Sequence, residues 1–198
     1  LQEVVNSFDK YAGPCLTDRN SRDPEFHSFY TTQQTNPRIL VESLELIQHI
    51  GLLKKSGNFL DLGAFRGLIP IVVGAMFGLN AYGIEARPGA VSLANKVIEG
   101  MKNEGYFSET NCGVYLGNFF PNDFDVSTYI KWSGSEKNIP SFVKSRNPYN
   151  QMGLELNDFD IVFFYQYNNN IVPILTMLAQ RCKKDALILI PDKIDSIH

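Results

Sequence analysis

The sequence predicts an α/β fold, a doubly wound and mainly parallel sheet with helices on both faces. Three observations point to it. Short apolar runs alternate with helical periodicities from residue 36 onward. The runs at 58–62, 81–85, 113–116, 160–164 and 186–190 are almost continuously apolar, as strands buried on both faces of a parallel sheet are. With 44% hydrophobic and 20% charged residues, the 198-residue chain can also build one core of its own.

Residues 1–35 are polar and rich in turn formers, Gly13-Pro14 and Asp23-Pro24 among them. They read as an N-terminal arm or lid with one short helix over Val4 to Tyr11. Asn36-Pro37 then offers an N-cap and a proline at the first helical position. Ile39, Leu40, Leu44 and Ile47 share a face, which predicts a helix over 37–50 that ends near Gly51. The strand at 58–62 closes on Gly63. An all-apolar helix over 67–78 follows, in which Pro70 is tolerated only in the first turn. The strand at 81–85 comes next. Arg87-Pro88 then opens a helix with Val91, Ala94, Val97, Ile98 and Met101 at its apolar positions.

The third strand is 113–116. Residues 121–157 break the rhythm with frequent Pro, Asn, Ser and Gly, and they read as a loop-rich insertion holding at most two short helices. Within it, Asn147-Pro148-Tyr149 reads as a turn. The fourth strand, 160–164, leads to a helix capped by Asn170 and running over Ile174, Leu175, Leu178, Ala179 and Cys182. The fifth strand, 186–190, is stopped by Pro191. The division expected is an arm over 1–35 and a domain over 36–198 that carries the insertion.

Composition excludes several functions. A net charge of −3 and a pI of about 5.6 disfavour bulk nucleic acid as a partner. Cys15, Cys112 and Cys182 form no CxxC, and His27, His49 and His198 are equally scattered, so no metal site is expected. The longest apolar run, Leu68 to Leu79, is 12 residues, short of the roughly 20 that a bilayer span needs. No charged-then-apolar signal segment opens the chain, and a cytoplasmic location is the expectation. The first residue is Leu1 rather than Met, which indicates that something upstream was removed. A cut chain and a cleaved leader both fit.

The chemistry belongs at the carboxyl ends of the strands, where ligands of such sheets bind. The first strand ends in Asp61-Leu62-Gly63-Ala64-Phe65-Arg66-Gly67. A glycine turn lets backbone approach a ligand, and the next helix offers N–H groups. Glu85, at the end of the second strand, can accept both hydroxyls of a ribose. Asn118, after the third strand and Gly117, can hydrogen-bond an adenine edge, with Phe119 flanking the ring. A dinucleotide fingerprint needs glycines at the first, third and sixth positions of the turn. Counted from Gly63, those places hold Phe65 and Leu68, so a nicotinamide cofactor is disfavoured. Asp61 suits a cationic cofactor better than a pyrophosphate.

These segments, Phe59–Gly67, Tyr82–Pro88, Val114–Phe120, Phe159–Asn168 and Lys183–Pro191, resemble the successive motifs of class I S-adenosylmethionine-dependent methyltransferases over about residues 36–191. The resemblance implies a Rossmann-like sheet in the order 3-2-1-4-5. It also implies S-adenosylmethionine as cofactor and methyl transfer as the activity. Asp61, Gly63, Ala64, Phe65 and Gly67 would hold the methionine end, Glu85 and Ala86 the ribose, and Asn118 and Phe119 the adenine. Phe65 departs from the family's middle glycine and Asn118 from its usual Asp. The family usually carries seven strands, the last two antiparallel; five are visible here before Asp192–His198, which suggests a trimmed chain or a minimal variant.

By the same resemblance, the end of the fourth strand lies beside the transferred methyl. Tyr165 and Tyr167 are the candidates for catalysis there. Gln166 and Asn168, with Tyr30 of the arm, are the candidates for holding the acceptor, a small molecule or a protein. The alternative is a catalytically inactive protein of the same fold that binds S-adenosylmethionine or serves as an interaction protein. Oligomeric state is not legible.

Overall fold

The computed structural model describes residues 1–12, 37–125, 147–165 and 171–191. Its frame is a sheet of β1 (Asn58–Leu62), β2 (Asn80–Glu85), β3 (Cys112–Leu116), β4 (Ile161–Phe164) and β5 (Leu187–Leu189). The order is β3-β2-β1-β4-β5 and all four pairings are parallel. The expected sheet is therefore the observed one, and the expected "mainly parallel" is wholly parallel among the described strands.

The helices are α1 (Gln2–Ala12), α2 (Pro37–His49), α3 (Leu68–Phe77), α4 (Pro88–Asn103), α5 (Pro148–Met152) and α6 (Ile171–Arg181). A 3-10 turn spans Leu156–Asp158. Successive strand residues point to opposite faces, and the core divides accordingly. Phe59, Ala81, Ile161 and Phe163 pack with Leu40 and Leu44 of α2 and Ile69 and Val73 of α3. Leu60, Leu62, Ile84, Val162 and Phe164 pack on the other face with Tyr149, Leu156, Met177 and Leu178. A third cluster joins Val4 and Phe8 of α1 to Ile71 and Val72 of α3 and to Ala94, Val97 and Met101 of α4. Thus α3 is apolar all round because it is walled in on both flanks.

Of two segments outside the sheet and its crossovers, one forms as expected and one does not. The helix expected near Val4 packs into the helical layer and is pinned there: Lys10 and Tyr11 both reach Glu104 just past α4, Tyr11 Oη donating at 2.7 Å. The rest of the arm, 13–36, lies outside the described residues. Asn147-Pro148-Tyr149, expected as a turn, opens α5 instead. Asn147 Oδ1 caps it by accepting from Tyr149 N–H at 3.0 Å, and Pro148 takes the first helical position. Tyr149 is buried, with its hydroxyl donating to Phe119 O at 2.7 Å. Among the described residues no helix is long and apolar enough to cross a membrane.

Candidate functional site

The strand order reverses beside β1: the chain runs outward through β2 and β3, then crosses to β4. The crevice at the carboxyl end of that switch point is where a ligand fits such a sheet. Asp61 in β1 and Glu85 at the end of β2 meet there, on the face that carries α3. Both are buried, at 3% and 6% exposure.

The turn after β1 is stitched onto β2. Gly63 and Ala64 N–H both donate to Ile84 O at 2.9 Å, and Gly67 N–H donates back to Ala64 O at 2.8 Å. Gly67 sits at φ 78°, where a Cβ would also meet Ala94 and Val114 at 3.0 Å, so both conformation and space demand glycine. Gly83 is demanded by closeness alone: a Cβ there would stand 2.5 Å from Ala64 Cβ. Gly63, at φ 92°, is exposed, and a Cβ on it would meet nothing within 4 Å. The turn is thus tight underneath and open above.

Asp61 has a carboxyl pushed well above the ordinary carboxylate range, first by burial and then by the charge of Glu85. Among the described residues no donor hydrogen-bonds to it. Burial without a donor disfavours the charged form of this carboxyl, and a cation beside it would favour that form.

Glu85 is differently situated. Oε2 accepts from Phe65 N–H at 2.9 Å and from Arg87 Nη2 at 3.3 Å. Oε1 accepts from Arg87 N–H at 3.1 Å and Arg87 Nε at 2.8 Å. Phe65, standing where the resembled turn has glycine, keeps a glycine-like φ of 49°, a conformation costing a side-chain residue roughly 1–2 kcal/mol. Its ring lies under the guanidiniums of Arg87, 4.4 Å from the centroid, and of buried Arg66, 5.3 Å away.

Gly117 N–H donates to Glu85 O at 3.0 Å and so brings the third turn alongside. Asn118 Oδ1 accepts from Phe120 N–H at 3.2 Å. The Phe119 ring is half-buried against Phe120, centroids 4.7 Å apart, and joins the cluster on the opposite face. Ala86 is exposed and Tyr165 half-buried.

The structure therefore brings Asp61, Gly63, Ala64, Phe65, Gly67, Glu85 and Asn118 to one edge. Tyr30, Gln166, Tyr167 and Asn168 lie outside the described residues. Sequence reasoning missed the roles of Gly83 and Arg87. Gly83 could have been found as a glycine inside a strand, which marks a close backbone approach. Two clefts lie elsewhere: about 480 Å³ beside the Asp123–Arg181 ion pair, and about 250 Å³ along Tyr82, Cys112 and Tyr115. Among the described residues no cluster of three or more His, Cys, Asp or Glu is placed to hold a metal.

No family model and no curated protein matches the chain. Solved structures do. An RNA methyltransferase from Salinibacter ruber, in complex with S-adenosyl-L-homocysteine, is 15% identical with a TM-score of 0.51. The match covers 79% of this chain and 76% of that one. MtNAS in complex with S-adenosylmethionine is 17% identical with a TM-score of 0.48, over 96% of this chain but 55% of that one. A precorrin-6y methyltransferase from Geobacter metallireducens is 14% identical with a TM-score of 0.46, over 85% and 69%. At 15% identity the likeness to the Salinibacter ruber RNA methyltransferase is one of fold alone, a Rossmann-like parallel sheet in the order 3-2-1-4-5.

Proposed function

We propose that the chain is an S-adenosylmethionine-dependent methyltransferase. One observation carries the reading: a buried carboxyl, Asp61, stands without a donor among the described residues, beside a glycine turn open above Gly63. The ammonium and sulfonium of S-adenosylmethionine are cations, and both the burial and the charge suit them. In this reading Asp61, Gly63 and Ala64 hold the methionine end, and Gly67 shapes the turn. Glu85 accepts the ribose hydroxyls, with Ala86 alongside. Asn118 donates its amide to a ring nitrogen of adenine, with Phe119 nearby.

The bound cofactor supplies an activated methyl group. The chain's own contribution is position: transfer from a sulfonium is an in-line displacement, and alignment of donor and acceptor lowers its barrier. By resemblance alone, Tyr165 and Tyr167 are assigned to catalysis and Gln166, Asn168 and Tyr30 to the acceptor; of these five, Tyr165 lies among the described residues. The acceptor is a small molecule or a protein. Calorimetry with S-adenosylmethionine and its demethylated product tests the reading; absence of binding by either to the folded chain defeats it.

A second reading, a binding protein without turnover, is favoured by Phe65 in the place of a glycine and by Arg87 on Glu85. Radiolabelled methyl transfer into fractionated extract separates the two. Label in any fraction supports the enzyme, and tight cofactor binding with no label supports the second reading.

A further inference from the structure

A carboxylate offers about four lone-pair directions, and on Glu85 four donors already point at them. Two are backbone N–H groups, of Phe65 and Arg87, and belong to the fold. The other two, Nε and Nη2 of Arg87 at 2.8 and 3.3 Å, belong to a side chain that is 27% exposed. Only these two can leave without unmaking the turn.

The guanidinium is held there by a second contact. The Phe65 ring lies 4.4 Å from it, and the ring occupies that place because Phe65 takes φ 49° in the turn. Arg87 is itself set by an extended backbone, φ −95° and ψ 118°, and by Pro88 at the first position of α4. Residues 65 and 87 thus act as one unit that lays a cation on the carboxylate.

We infer that Arg87 is a built-in competitor for Glu85: a nucleoside's 2′- and 3′-hydroxyls reach the carboxylate only when the guanidinium swings out, so Arg87 lowers affinity for the ribose. The inference rests on the ribose reading of Glu85 given above and adds what regulates that contact. The exchange is uphill because two neutral hydroxyl donors replace two charged ones, which are about twice as strong. Positions 65 and 87 therefore set how selectively the site fills.

The test is titration at pH 8 of S-adenosylhomocysteine into the wild-type chain, Arg87→Ala and Arg87→Gln. Arg87→Gln keeps a donor and much of the packing on Phe65, and serves if Arg87→Ala does not fold. Competition by adenosine and by 2′,3′-dideoxyadenosine is read in parallel. Arg87→Ala should bind S-adenosylhomocysteine about tenfold tighter, with Arg87→Gln in between. The gain should extend to adenosine and be absent for the dideoxy analogue. Equal or weaker binding by both variants, with wild-type binding intact, overturns this inference and leaves the nucleotide site standing. A gain equal for adenosine and the dideoxy analogue also overturns it. No binding by any of the three chains overturns both.

Discussion

In the proposed function, Asp61 is the residue whose ionisation links ligand and fold. Burial and the neighbouring Glu85 raise its carboxyl above the ordinary range. The folded chain therefore holds that proton more tightly than the unfolded chain does. The stability this confers is fully present below the unfolded value near 3.9, and it is lost as pH rises from there through the folded value. Denaturant titrations across that window should show stability falling with pH. Asp61→Asn, which cannot ionise, should flatten the fall. The same substitution should weaken S-adenosylmethionine binding about tenfold at pH 8, because it removes the negative charge that meets the cation. A variant that binds as tightly as wild type separates Asp61 from the ligand. At Glu85, Glu85→Ala should weaken cofactor binding by at least about tenfold in calorimetry; unchanged affinity removes the ribose assignment.

Among the elements, the turn after β1 depends on its fit against β2. In Gly83→Ala the new Cβ would stand 2.5 Å from Ala64 Cβ, so the turn must move. We expect a loss of about 1–3 kcal/mol in denaturant unfolding together with weakened cofactor binding. Helix α1 packs into the helical layer. Phe8 is buried against α3 and α4, and Phe8→Ala should cost about 3–5 kcal/mol. A loss under about 1 kcal/mol would mean that α1 is dispensable. The elements most legible in sequence were those with a short apolar run closed by a turn signal, such as β1 before Gly63 and α3 before Gly78. The role of Asn147-Pro148-Tyr149 was hidden because a cap and a turn use the same residues, and only the buried place of Tyr149 tells them apart. The Arg87–Glu85 contact was hidden for another reason. Residues two apart on extended backbone share a face, but the spacing alone does not tell a guanidinium folded back onto Glu85 from one turned to solvent. Gln166, Tyr167 and Asn168, drawn from resemblance, fall outside the described residues.

Across the whole molecule the two ends of the sheet carry opposite electrostatics. At the amino ends Asp160, just before β4, accepts from Asn58 N–H at 2.9 Å, from Lys183 at 2.6 Å and from Lys54 at 3.0 Å, tying β1, β4 and the approach to β5 together. Burial pushes this carboxyl upward, but the Lys183, Asn58 and Lys54 donors outweigh it and the net shift is downward. Its stability is present above the unfolded value and lost as pH falls through the folded one. Asp160→Asn should therefore flatten the acid limb of the stability profile and leave the alkaline limb to Asp61. The amino ends carry a carboxylate held by lysines, while the carboxyl ends carry a buried acid whose charged form is disfavoured; in the proposed function a bound cation favours that form. The division is the one expected where stability and binding are set at separate edges. The direct test of that claim is calorimetric titration of S-adenosylmethionine into the wild-type chain and Asp61→Asn at pH 6 and pH 8. The account predicts one-to-one binding by the wild type, tighter at pH 8, and weaker binding with little pH dependence by Asp61→Asn. No binding by the wild type, or identical binding by both chains at both pH values, would contradict it.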